Sequence, residues 1–242
     1  KWCARGRQRG GGEGGDVQDH EARRAPWRGL GVEGFEVGEW QVGPETGHLD
    51  LAKLEALLDE KVRLVCFPHC SNVVGEINPV VEITALAHAA GAFVCVDGVS
   101  YAPHGLPNVG LMGPDIYLFS AYKTYGPHQG IMVMRRALGE TLPNQGHYFN
   151  AGSLYKRFTP AGPDHAQVAA SARMADYAHA RPLPHALTGP AAQTATGLHD
   201  FVRAHALKPS RPFLDYVCSK DSGPLIAPPP SAVGSSSCAR CL

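Results

Sequence analysis

The 242-residue chain contains no run of about 18 consecutive apolar residues, the least a helix needs to span a bilayer. Its Gly- and Arg-rich start offers no apolar stretch to act as a secretory signal. A charge bias is also missing. Lys plus Arg number 22 and Asp plus Glu number 22, so the summed field pulls toward neither nucleic acid, an anionic membrane nor an acidic partner. A small-molecule partner and a soluble, cytoplasmic protein are expected, an organelle remaining open. Nor is there a disulfide framework. The seven cysteines are an odd number, and Cys66, Cys70 and Cys95 lie in or beside apolar runs, where a reduced cysteine packs as a small hydrophobe. Cys66, His69 and Cys70 have the residue types of metal ligands, but no second pair follows at zinc spacing, and no metal is expected. Position 1 is Lys1, not methionine, which is expected of a piece of a longer protein.

What is present is an ordinary apolar fraction of 44%, enough for a sizeable core. Residues 1–19 are dominated by Gly and charge and are expected to be disordered; they lack the interleaved aromatics of an RNA-binding tail. Regular patterning starts near residue 35. Phe35 to Val42 alternates like a strand, Asp50 is placed to cap a helix through Leu51, Leu54, Leu57 and Leu58, and Val62 to Phe67 is β-rich. Asn78 before Pro79 reads as a helix N-cap, with the helix running to Gly91. Phe93 to Val96, Ile116 to Ser120 and Gly130 to Met134 read as further strands, and Ala166 to Ala180 as one long helix. Strands alternating with helices at this spacing predict an α/β fold with a mostly parallel sheet. Residues 181–242 are Pro- and Ser-rich and are expected to be poorly ordered.

Ligands of open α/β sheets bind beyond the carboxyl ends of the strands. Asn72, Asp97 and Lys123 all fall there, and would converge on one cleft. Lys123 stands between Tyr122 and Tyr125, ahead of Gly126-Pro127-His128. A lysine desolvated among aromatics has a lowered pKa, as an amine nucleophile toward an aldehyde requires.

His69-Cys-Ser-Asn72 through Gly75 to Pro79, then Val96-Asp97-Gly98, then Ser120-Ala-Tyr-Lys123-Thr-Tyr-Gly126-Pro127 resembles, in order and spacing, the core of class V aminotransferases and cysteine desulfurases over about residues 19–165. The resemblance implies a fold-type I large domain at 20–180, a remnant of a small C-terminal domain at 181–242, and pyridoxal 5'-phosphate (PLP) as cofactor. It implies that Lys123 carries the cofactor as a Schiff base and moves the substrate's α-proton, that Asp97 pairs with the pyridine nitrogen, and that Asn72 meets the phenolic oxygen. By the same resemblance His20 stacks on the ring, Ser120 and Tyr122 lie near the phosphate, and Ser100 replaces a family Gln. Tyr122 stands where desulfurases have a histidine, and its hydroxyl can still donate. His104 and His128 lie near the same loops, facing substrate or serving structure.

Arg157-Phe158 and Ala161-Gly162 resemble the loop that reaches a partner subunit's phosphate site, so a homodimer is implied, although Pro163 stands where a threonine is expected. Nothing before His20 matches the family's Gly- and Thr-containing phosphate turn. Arg203, Arg211 and Cys218 do not match its substrate arginine or sulfur-carrying cysteine. Two functions follow from this resemblance: a PLP enzyme acting on a small amino acid, by transamination or lyase chemistry, and a truncated, weak or inactive PLP-fold protein that serves as a binding or dimerisation partner.

Overall fold

The structure, a computed structural model, describes residues 2–5, 34–43, 48–72, 75–104, 106–159 and 164–180, with isolated positions from 197 to 212. His20, the segment 160–163, Arg203, Cys218 and nearly all of the expected tail lie outside the described residues.

Six strands form one sheet among the described residues: β1 (Trp2–Arg5), β2 (Glu36–Glu39), β3 (Val62–Pro68), β4 (Phe93–Asp97), β5 (Ile116–Ser120) and β6 (Gly130–Met134), in the order β2-β1-β3-β4-β5-β6. The pairs β3–β4 and β4–β5 are parallel, while β1 and β6 run against their neighbours. Two differences from the sequence reading stand at the β1 side. The segment expected to be disordered supplies β1 through non-local pairing, and the strand expected over Phe35 to Val42 stops at Glu39, leaving only an isolated bridge from Val42 to Leu49.

The helices form where the pattern placed them, with altered ends. Asp50 caps Leu51–Leu57 by accepting from Ala52 N, and Trp40 Nε1 donates to the Asp50 carbonyl at 2.9 Å. The helix Val80–Ala89 is capped by Pro79. Asn78 instead is buried, and its Nδ2 donates to the Pro68 carbonyl at 2.6 Å, because that carbonyl leaves the sheet at the end of β3 and needs a donor. The long helix expected from Ala166 is two helices, His165–Ser171 and Arg173–Ala180, broken at Ala172.

Val65, Phe67, Val94, Val96 and Tyr117 form the buried face of the sheet, packed against Leu54, Val80, Ile83 and Ala87 of the helices and against Trp40. Full burial of such side chains contributes about 1.5–3 kcal/mol each. Strand alternation sends Leu64, Cys66, Phe93, Cys95 and Asp97 to the opposite face, where Phe93 remains 48% exposed. No helix among the described residues is long and apolar enough to cross a membrane.

Candidate functional site

The chain leaves the sheet at the carboxyl ends of the three parallel strands, and there the candidate groups gather. Asp97 is the last residue of β4 and half-buried, in register with Pro68 of β3 and Leu118 of β5. Its Oδ1 accepts from Val99 N at 3.0 Å and its carbonyl from His69 N at 2.8 Å, so the carboxylate sits on a turn tied to the next strand. Gly98 N donates to the Leu118 carbonyl at 2.7 Å. A Cβ at Gly98 would lie 2.1 Å from Tyr117 Cε1, so only glycine lets the turn pass over that ring.

Beneath this turn lies a buried pair that the sequence reading did not foresee. Tyr117 Oη and His69 Nδ1 are 2.8 Å apart, and the His69 ring stacks on Tyr101 with centroids at 3.5 Å. Burial, with Tyr101 and Asp97 nearby, holds the Tyr117 hydroxyl far above the usual tyrosine range, so it stays protonated and shares a hydrogen bond with Nδ1. The ring thereby links the end of β3, the 99–101 turn and β5. The partners are 48 residues apart; the only sequence signal was an aromatic at a core-facing position of β5.

Lys123 lies in the short 3-10 turn Ala121–Thr124 that follows β5. Thr124 Oγ1 donates to the Ser120 carbonyl at 2.6 Å, Gly126 N to the Ala121 carbonyl and Ala121 N to the Gln129 carbonyl, both at 2.8 Å. Tyr125 takes φ 65°, a left-handed turn residue. Ser171 Oγ donates to Gln129 Oε1 at 2.7 Å, and Tyr177 packs on Tyr125 at 5.1 Å, so the two C-terminal helices brace the loop.

Lys123 itself is exposed, as are Tyr122 at 47% and Tyr125 at 57%. The desolvated aromatic setting expected for this lysine is therefore not supplied by the described residues, because its turn projects beyond the carboxyl end of β5 and the flanking rings are themselves exposed. Tyr122 stacks on His128 at 4.5 Å, nearly parallel. Ser120 and Ser100 are half-buried, and the turn Ala102–His104 packs against Ala121–Thr124, which brings His104 to the lysine's side of the site. Asn72 is exposed on the loop after β3. That loop is closed by Asn78 N to the His69 carbonyl and Ser71 N to the Glu76 carbonyl, each at 2.8 Å, and by His48 against Glu76 at 2.6 Å.

The other expected groups are used differently. Cys66 and Cys95 carry reduced thiols side by side, and Cys70 is disulfide-bonded instead of reduced. Among the described residues no group of three or more His, Cys, Asp or Glu is placed to hold a metal. Arg157 folds back on its own chain, donating to the carbonyls of Ala151, Gly139, Glu140 and Leu142 at 3.0–3.4 Å.

The aminotransferase class-V model matches residues 16–164, which is most of the described chain. The chain belongs to the aminotransferase class-V family. It is 39% identical over 140 residues to the aminotransferase-like protein FGM3 of Gibberella zeae, covering 56% of this chain and 35% of that protein. It is 41% identical over 127 residues to a cysteine desulfurase of Serratia proteamaculans, covering 52% and 31%. The chain thus spans about a third of the length of these curated relatives. Among solved structures it resembles a NifS-like protein (TM-score 0.62, 22% identity, 87% of this chain and 52% of that one) and the cysteine desulfurase CsdA of Escherichia coli (TM-score 0.64, 21% identity, 84% and 49%). These likenesses show the fold, the α/β fold-type I architecture of the class V family.

Proposed function

We propose that this chain carries the ring-binding part of a PLP site and that the protein acts on the amino group of a small amino acid. The observation that carries the reading is one carboxylate and one primary amine at the carboxyl ends of adjacent parallel strands, Asp97 after β4 and Lys123 after β5, in a member of the class V family. The donor set fits the group: an amine for the aldehyde, a carboxylate for the ring nitrogen and an amide, Asn72, for the phenolic oxygen. When bound, PLP supplies an electron sink for negative charge at the substrate's Cα.

Asp97 would hold a proton on the ring nitrogen through a charge-assisted hydrogen bond, while Val99 N, donating to Oδ1, fixes its carboxylate on the turn. Lys123 Nζ would hold the cofactor's aldehyde and would take the Cα proton. Ser120 and Tyr122, which flank the lysine's turn in sequence, and Ser100 are assigned as hydroxyl donors, and His20 the stacking role, from the family pattern. The protein works as a homodimer, the arrangement the family resemblance implies. A second reading, a weak or inactive binding or dimerisation partner, is favoured by the exposure of Lys123.

Incubation with PLP followed by borohydride should fix the cofactor on Lys123, read by peptide mapping, and Lys123→Ala should remain unlabelled. Labelling spread over other lysines, or tight binding with none, would overturn the assignment.

A further inference from the structure

Cys66 and Cys95 occupy the same register position on the parallel strands β3 and β4. Strand alternation sends both side chains to the same face, the face that also bears Asp97 two register steps further on. Adjacent strands lie about 4.8 Å apart, inside the Cα separation of roughly 4.4–6.8 Å that a disulfide spans. Both thiols are reduced; Cys66 is buried at 8% exposure and Cys95 is half-buried.

We propose that Cys66 and Cys95 form a reversible dithiol–disulfide site, oxidised by small-molecule disulfides. Cys95 is the attacking sulfur because it is the more open of the two. A hydrogen bond from Cys66 outweighs burial and the Asp97 charge, holding the Cys95 thiol below its ordinary range and favouring the thiolate. The Cys95 thiolate attacks one sulfur of oxidised glutathione, breaking its S–S bond and releasing one glutathione thiolate. The Cys66 thiol gives its proton to solvent, attacks the Cys95 sulfur of the mixed disulfide and expels the second glutathione. The two cysteines lose two electrons and two protons, and the reagent's disulfide gains the two electrons. No part of this depends on the cofactor reading.

The pair is also separable from the other thiols. Cleavage after Glu76 and Glu82 divides Cys66 from Cys95, so only a cross-link keeps their peptides together. Treatment of the full chain with oxidised glutathione should join these two peptides without retaining glutathione, and dithiothreitol should part them. In Cys66→Ala the link should vanish and Cys95 should instead keep one glutathione. Because Cys70 shares a peptide with Cys66, a link that survives Cys66→Ala would overturn the proposal. Failure to link in the wild-type chain would overturn it equally. Circular dichroism of Cys66→Ala and of Cys66→Ser should match that of the wild-type chain, and the cross-link is read in whichever variant does.

Discussion

Replacing Tyr117 by Phe removes one oxygen from the structure and leaves the ring in place, which isolates the bond to His69. Both residues are buried, Tyr117 completely and His69 at 4%, so water does not replace the hydroxyl. Losing one side of a buried hydrogen bond costs about 1–3 kcal/mol, and Tyr117→Phe should lose that much stability at neutral pH. The alkaline range gives a sharper signature. Tyr117 has its pKa raised in the folded chain by burial, against about 10 when unfolded. The unfolded chain therefore releases this proton first as pH rises. The stabilisation is complete below about pH 10 and declines above it by up to about 1.4 kcal/mol per pH unit. Phe has no such proton, so the gap between wild type and variant should narrow by roughly 1 kcal/mol between about pH 9.5 and 11. Urea unfolding followed by far-ultraviolet circular dichroism at stepped pH measures it. Parallel stability curves for the two proteins across that range would refute the buried, protonated tyrosine.

Two further outcomes concern the turn above this pair. Gly98→Ala drives a methyl into the Tyr117 ring at 2.1 Å and should cost at least about 1–3 kcal/mol as overpacking, seen as a lower melting temperature; an unchanged midpoint would show that the turn can move aside. Asp97→Asn keeps an acceptor for Val99 N but cannot act as the ring nitrogen's anionic partner. It should retain wild-type melting while losing most amino-acid α-proton exchange measured by deuterium incorporation, and undiminished exchange would remove Asp97 from the chemistry.

The parallel centre of the fold was legible because β3, β4 and β5 are short, largely apolar runs, the last two ending in the polar Asp97 and Ser120, and burial of such runs enforces local pattern. Asp50 was legible as a cap for the same local reason. β1 was not, because four residues beside a Gly- and Arg-rich tract carry no strand signal of their own and are held by neighbours some 30 to 60 positions away. Asn78 misled because its cap position and its bond to Pro68 compete for one amide, and the buried carbonyl takes it. In the site, Asp97 and Lys123 could be placed from strand ends alone. The exposure of Lys123 could not, since it depends on what packs over the turn.

That exposure separates holding a cofactor from turning over a substrate. Asp97 is half-buried and its carboxylate is pinned through Val99 N, so its part of the site is organised before any ligand arrives. Lys123 stands on an equally well-bonded turn, but its side chain is exposed. An amine attacks an aldehyde only as the neutral base, and desolvation is one means by which proteins produce it. The backbone of the candidate site is thus organised, while the surroundings of its proposed nucleophile, Lys123, are left open to water by the described residues. The matched segment covers only 31–35% of the curated relatives, and a cover over Lys123 from another segment or a second subunit would strip the water. Cofactor binding by this chain should accordingly be measurable but weak. Amino-acid turnover should rise once a covering partner is supplied, because excluding water from Lys123 favours the neutral amine that attacks an aldehyde. Equal turnover with and without such a cover would mean that Lys123 needs no desolvation, and would overturn this division between the two ends of the site.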